Sequence, residues 1–121
     1  MAITELDVID GLAIAEVARA SELVGVAISD LLSWARISQR TWSRRRVTGV
    51  LDQLESDRVA RAVRLAERAA DVLGSPDGAR AWLHAAHRSL GRRTPWQVAG
   101  TEIGADRVFT LLGRIEHGVI V

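Results

Sequence analysis

Gln39, Arg40, Ser43 and Arg44 carry the groups in this chain best suited to reading another molecule. They belong to the run Ser38-Gln39-Arg40-Thr41-Trp42-Ser43-Arg44-Arg45-Arg46. A glutamine amide matches the adenine edge in the DNA major groove, and the arginine fork matches guanine O6 and N7. On a helix that begins after Ser38, Gln39 and Arg40 are the first exposed positions, with Ser43 and Arg44 one turn on. Those positions meet base edges when the second helix of a helix-turn-helix lies in the groove. Arg45 and Arg46 are placed for phosphate, which gives salt-dependent affinity and not sequence choice. Arg36, Arg40, Arg44, Arg45 and Arg46 are five arginines with no acid among them. The same residues also suit a solvated basic helix on an ordinary bundle, and spacing alone leaves both readings open.

Other reactive types lead to weaker chemistry. His84 and His87 are three apart and could share a helix face as metal ligands do. No cysteine or suitably spaced carboxylate joins them, so they read as a surface pair. His117 falls in the last turn of the last helix, where a cation suits the helix dipole. Ser38, Ser43, Ser56 and Ser89 lack a Gly-x-Ser-x-Gly setting, and neither a phosphate-binding loop nor a dinucleotide fingerprint occurs. The chain therefore reads as a binding protein and not an enzyme, with no metal or cofactor expected. Its end is distinctive. Gly118 releases the last helix, and Val119, Ile120 and Val121 would be costly to leave in water. They either fold back on the protein or are covered by a partner.

The 121 residues are 48% hydrophobic and contain no cysteine, which fits a globular unit of a reducing, cytoplasmic compartment. Acids near the N-terminus oppose an export signal, and no apolar run approaches the ~20 residues of a membrane span. All 16 cations are arginine, yet the net charge is only +1. Affinity for nucleic acid must come from the local cluster and not from the field of the whole molecule.

The elements that position these residues are all helical by their spacing. A first helix is expected over 10–23, with Leu12, Ala15, Val17 and Ala18 on its apolar side. A short helix over 28–35 buries Leu31 and Leu32, and a turn at Arg36-Ile37 leads to the arginine-rich helix. Ser38 is its N-cap, and Ile37 with Trp42 forms a hydrophobic staple. Gly49 offers a stop. The longest helix starts with a capping box of Asp52 and Glu55 and ends at Gly74. Val59, Ala62, Val63, Ala66, Ala69 and Leu73 line its apolar stripe. Its charges, Arg58, Arg61, Arg64 and Arg68 among Glu55, Asp57, Glu67 and Asp71, read as a solvated face. Ser75-Pro76 and Thr94-Pro95 each open a further helix. The last helix, over 105–117, presents Val108, Leu111, Leu112 and Ile115. The domains expected are 1–74, a helix-turn-helix bundle, and 75–121, a small helical domain packed against it.

Two blocks resemble the Xre/MbcA/ParS antitoxins over roughly 26–121. The first is Ser38-Gln39-Arg40-Thr41-Trp42-Ser43-Arg44-Arg45, then Glu55-Ser56-Asp57-Arg58. The second holds Ala81-Trp82-Leu83, Leu90-Gly91, Thr94-Pro95, Thr101-Glu102, Gly104 and Leu112-Gly113-Arg114-Ile115-Glu116 with Gly118-Val119. The resemblance implies an antitoxin whose partner is a RES-domain toxin that depletes NAD, with the C-terminal end reaching the toxin's active-site cleft. It also implies repression of the operon by a homodimer on operator DNA. Toxin contact would then fall on Arg114, Glu116, His117, Gly118, Val119, Ile120 and Val121, and DNA contact on the residues named above. The alternative is a stand-alone helix-turn-helix regulator without a toxin. This chain departs from the family pattern at Ala86-His87, where Pro-Asn is usual, at Arg92, where a second glycine is usual, and at Ile120, where an aromatic is common.

Overall fold

Gly11 decides the start of the fold. The helical spacing over 10–23 predicts one helix, but there are two, α1 (Glu5–Asp10) and α2 (Ala15–Val24), broken at a glycine with φ +95°. A Cβ at Gly11 would lie 2.4 Å from the Leu51 carbonyl oxygen. The break lets residues 12–14 run antiparallel to 49–51: Leu51 N–H donates to Leu12 O at 2.9 Å, and Ile14 N–H to Gly49 O at 3.1 Å. Periodicity did not reveal the break because Leu12, just past it, is buried as an apolar helix residue would be.

The computed structural model describes residues 2–118, and every regular element among them is helical. After α2 come α3 (Ile28–Trp34), α4 (Gln39–Thr48), α5 (Gln53–Leu73), α6 (Pro76–Leu83), a 3-10 turn (Arg88–Leu90), α7 (Pro95–Val98) and α8 (Glu102–Glu116). The chain divides into two compact units, Met1–Val63 and Arg64–Val121. The division falls within α5, whereas Gly74, the border expected from the sequence, stands just past its end.

In the first unit the core is Leu12, Val17, Ala20, Val24, Leu31, Leu32, Ala35, Ile37, Leu51, Val59 and Val63. Side chains of this size contribute roughly 1.5–3 kcal/mol each when fully buried. Of the α5 stripe, Ala66 and Ala69 are buried in the second unit together with Leu65, which the expected stripe left out.

In the second unit each helix starts on the cap its sequence prescribes. Ser75 Oγ accepts from Gly78 N–H, Thr94 and Gln97 form a reciprocal capping box, and Thr101 Oγ1 accepts from Gly104 N–H. α8 thus starts at Glu102, ahead of the 105 expected from the spacing. Pro95, Trp96, Leu83, Leu90, Ala105, Val108, Leu111 and Leu112 form the core. Arg92 adopts φ +64°, a left-handed conformation that glycine takes without strain, which accounts for glycine at this place in the family it resembles.

The closest approach is between α7 and α8. A Cβ on Gly104 would sit 1.8 Å from the Val98 carbonyl oxygen, with backbone rather than a movable side chain in the way. Gly104→Ala must therefore push α8 off α7. Thermal unfolding of this variant is expected to show a loss of about 3 kcal/mol, the upper end of overpacking costs; an unchanged melting temperature would refute the contact.

Candidate functional site

The turn between α3 and α4 is built from its ends inward. Arg36 N–H donates to Ser33 O at 3.1 Å and Ile37 N–H to Leu32 O at 2.9 Å, the paired bonds of a Schellman helix stop. The residue after the cap in that motif is left-handed, and here it is Arg36, at φ +56°. Ile37, 5% exposed, closes this stop as its apolar residue and also precedes the next helix cap. Ser38 Oγ then accepts from Thr41 N–H at 3.1 Å, as expected of the N-cap. One isoleucine therefore serves both helices, which fixes where α4 leaves α3. Trp42, at the staple position, is half-buried.

On this frame Gln39, Arg40, Ser43, Arg44 and Arg46 are exposed. Arg40 and Arg46 have no ion-pair partner among the described residues, and Arg44 touches only the Thr41 hydroxyl, at 3.4 Å. Beside them lies a shallow open cleft lined by Ser29, Ser33, Arg36, Ser38 and Gln39. Its hydroxyls and amide are groups that hydrogen-bond to phosphate oxygens.

Arg45 is placed differently. Its Nε donates to Glu55 Oε1 at 2.7 Å, and a terminal nitrogen reaches Glu55 Oε2 and Asp52 Oδ2, each at 3.3 Å. The bond to Glu55, more than the charge itself, raises the Arg45 pKa further. This arginine is engaged by carboxylates of its own protein. Glu55 is only 7% exposed. Its Oε1 also accepts from Asp52 N–H at 3.0 Å while Asp52 Oδ1 accepts from Glu55 N–H at 2.7 Å, the expected capping box.

The next residues repeat the device. Ser56 Oγ, fully buried, accepts from Leu12 N–H at 2.8 Å, and Arg58 donates to Ala35 O at 3.3 Å, at the end of α3. Of the expected solvated face of α5, Glu55 and Arg58 are instead tied to α4 and α3, with Ser56 beside them tied to the segment before α2, while Asp57, Arg64 and Asp71 are exposed. Sequence reasoning missed these ties because each partner lies far along the chain. The one local signal was the capping box.

In the second unit the candidate partner residues fall on the end of α8. Arg114 is exposed, and His117 and Gly118 follow as cap and left-handed exit, with φ +73° at the glycine. Glu116 is committed elsewhere: Arg68 on α5 grips both its oxygens, at 2.9 and 2.7 Å. That bond holds the Glu116 carboxyl below the usual carboxylate range. Val119, Ile120 and Val121 lie outside the described residues. His87 Nε2 lies 3.2 Å from Trp82 O, and its ring is 5.2 Å from that of Trp82; no metal-binding cluster occurs among the described residues. Nor is any helix among them long and apolar enough to cross a membrane.

Comparison with known proteins divides the chain in the same way. Residues 6–64 match the Antitoxin Xre-like helix-turn-helix domain, and residues 68–118 match the Antitoxin Xre/MbcA/ParS C-terminal toxin-binding domain. An Antitoxin Xre of Photorhabdus laumondii is 42% identical over 93 residues, and one of Yersinia enterocolitica is 39% identical over 93. Each match covers 75% of this chain and 63% of the relative, so the chain spans under two thirds of their length.

Two outcomes test the site. Arg45→Ala strips a nearly buried carboxylate of its partner and is expected to lower the melting temperature, whereas Arg44→Ala leaves it unchanged; equal melting temperatures would contradict the clamp. The depressed Glu116 pKa stabilises the fold above the ordinary glutamate range, and that contribution is lost as pH falls through the lowered value. Glu116→Gln should accordingly flatten the acid arm of stability below about pH 4, measured by chemical denaturation across pH.

Proposed function

Since residues 6–64 and 68–118 match two domains of Xre-type antitoxins, we propose that this chain is the antitoxin of a type II toxin–antitoxin pair and represses its own operon. Its partner is a RES-domain toxin that depletes NAD. The C-terminal segment, Gly118 to Val121 with Arg114 and His117 beside it, enters the toxin's cleft and denies NAD access to it. The chain itself catalyses nothing, works in the cytoplasm, and binds operator DNA as a homodimer. The observation that carries the DNA half is the exposed start of α4, where Gln39, Arg40, Ser43 and Arg44 stand on a helix fixed by its own cap and turn. The toxin half is supported by the match of residues 68–118 to a toxin-binding domain.

On DNA the roles divide by chemistry. Gln39, Arg40, Ser43 and Arg44 read base edges, and Arg46 and the cleft around Arg36 hold phosphate. Arg45 acts through the orientation of α4. Glu116 acts likewise, holding the end of α8 from which the tail departs.

Growth rescue on co-expression with the product of the adjacent gene tests the toxin half. The full chain is expected to restore growth and a chain lacking residues 118–121 to fail; full rescue by the truncated chain would overturn the occlusion. In gel shifts on the promoter, Arg40→Ala and Arg44→Ala should each weaken binding by about 1–3 kcal/mol per lost base contact and relax sequence choice. Unchanged shifts would remove α4 from the groove.

A further inference from the structure

A cleft of about 170 Å³ opens between α8 and the 3-10 turn, lined by Ser89, Leu90, Arg107, Thr110, Leu111 and Arg114. The α8 residues among these step by three and four, so one helix face forms a whole wall. Leu90 and Leu111 are buried and make an apolar floor. Arg107 and Arg114 stand at its edges, two turns apart on that face. No carboxylate lines it. Arg107 donates to Ser89 O at 2.6 Å, so its guanidinium is held in place with other N–H groups unspent. Three more exposed arginines, Arg88, Arg92 and Arg93, surround the turn. Near the end of α8, Glu116 is taken by Arg68.

We propose that this cleft is the anchor for the protein partner, and that it receives an acidic side chain presented next to an apolar one. The apolar group would rest on Leu90 and Leu111 while the carboxylate sits between Arg107 and Arg114, paired by charge-assisted hydrogen bonds. The surrounding arginines steer an acidic surface toward the site. An apolar floor is what distinguishes this site from one for nucleic acid, whose phosphates and sugars would leave it uncovered. The inference rests on the antitoxin reading and adds to it a contact separate from the tail. The cleft fixes where on the toxin α8 docks, and the tail needs only to reach from there.

Calorimetric titration of the full chain with the purified toxin from the adjacent gene tests it. Arg114→Glu reverses one charge, and Thr110→Trp fills the cleft without changing charge; neither side chain makes a hydrogen bond or ion pair among the described residues. Each variant is expected to bind about ten-fold or more weakly, with wild-type melting and wild-type promoter binding retained. Wild-type affinity in both variants overturns the cleft and leaves the antitoxin reading standing. Absence of binding by the unmodified chain overturns both. Loss of promoter binding in Arg114→Glu, with toxin binding intact, overturns the proposal in favour of a second DNA contact.

Discussion

Three residues at the start of α5, Glu55, Ser56 and Arg58, hold the first unit together. Glu55 clamps Arg45 on α4, Ser56 takes the Leu12 amide, and Arg58 closes the end of α3. A carboxylate so nearly buried would be costly without its guanidinium, and a fully buried hydroxyl would be costly without its donor. The arrangement is therefore stable only as a whole. Its consequence is directional. With α3 stopped at Arg36 and α4 gripped at Arg45, the start of α4 projects its polar side chains outward without help from a ligand. Preorganisation of this kind lowers the ordering cost of binding.

The same economy governs the second unit. Arg68 holds Glu116 at the end of α8, and the Gly104 contact seats the beginning of that helix against α7. Between those two fixed points α8 offers its cleft face, with guanidinium groups at the edges. Charged residues here fall into two groups. Arg45, Glu55, Arg58, Arg68 and Glu116 are spent on the fold, while Arg40, Arg44, Arg46 and Arg114 make no ion pair among the described residues. The position of a partner acceptor, a carboxylate for Arg45 and Arg68 and a carbonyl for Arg58, tells the two groups apart.

Features governed by neighbours in sequence were legible before the structure. Ser38, Ser75 and Thr94 cap the helices their positions announce, Asp52 and Glu55 pair as a box, and Leu31, Leu32, Val108 and Leu112 are buried as their spacing requires. The exposure of Gln39, Arg40, Ser43 and Arg44 at the start of α4 was legible for the same reason. What was hidden depends on distant partners. Glu116 reads as a free acid until Arg68, 48 residues away, is seen to hold it, and Ser56 reads as ordinary until Leu12, 44 away, donates to it. The Arg45 bond to Glu55 was hidden because a run of arginines carries no mark of which one meets a carboxylate. Gly11 hid its break inside an apolar pattern that continues across it.

The central claim is that the two ends of the chain engage different molecules. Hydrogen exchange on the full chain, alone and with the proposed toxin partner, tests it most directly. Slowed exchange is expected over the 3-10 turn and the C-terminal half of α8, with α4 exchanging as in the free chain. Protection centred on α4, or none on α8, would contradict it.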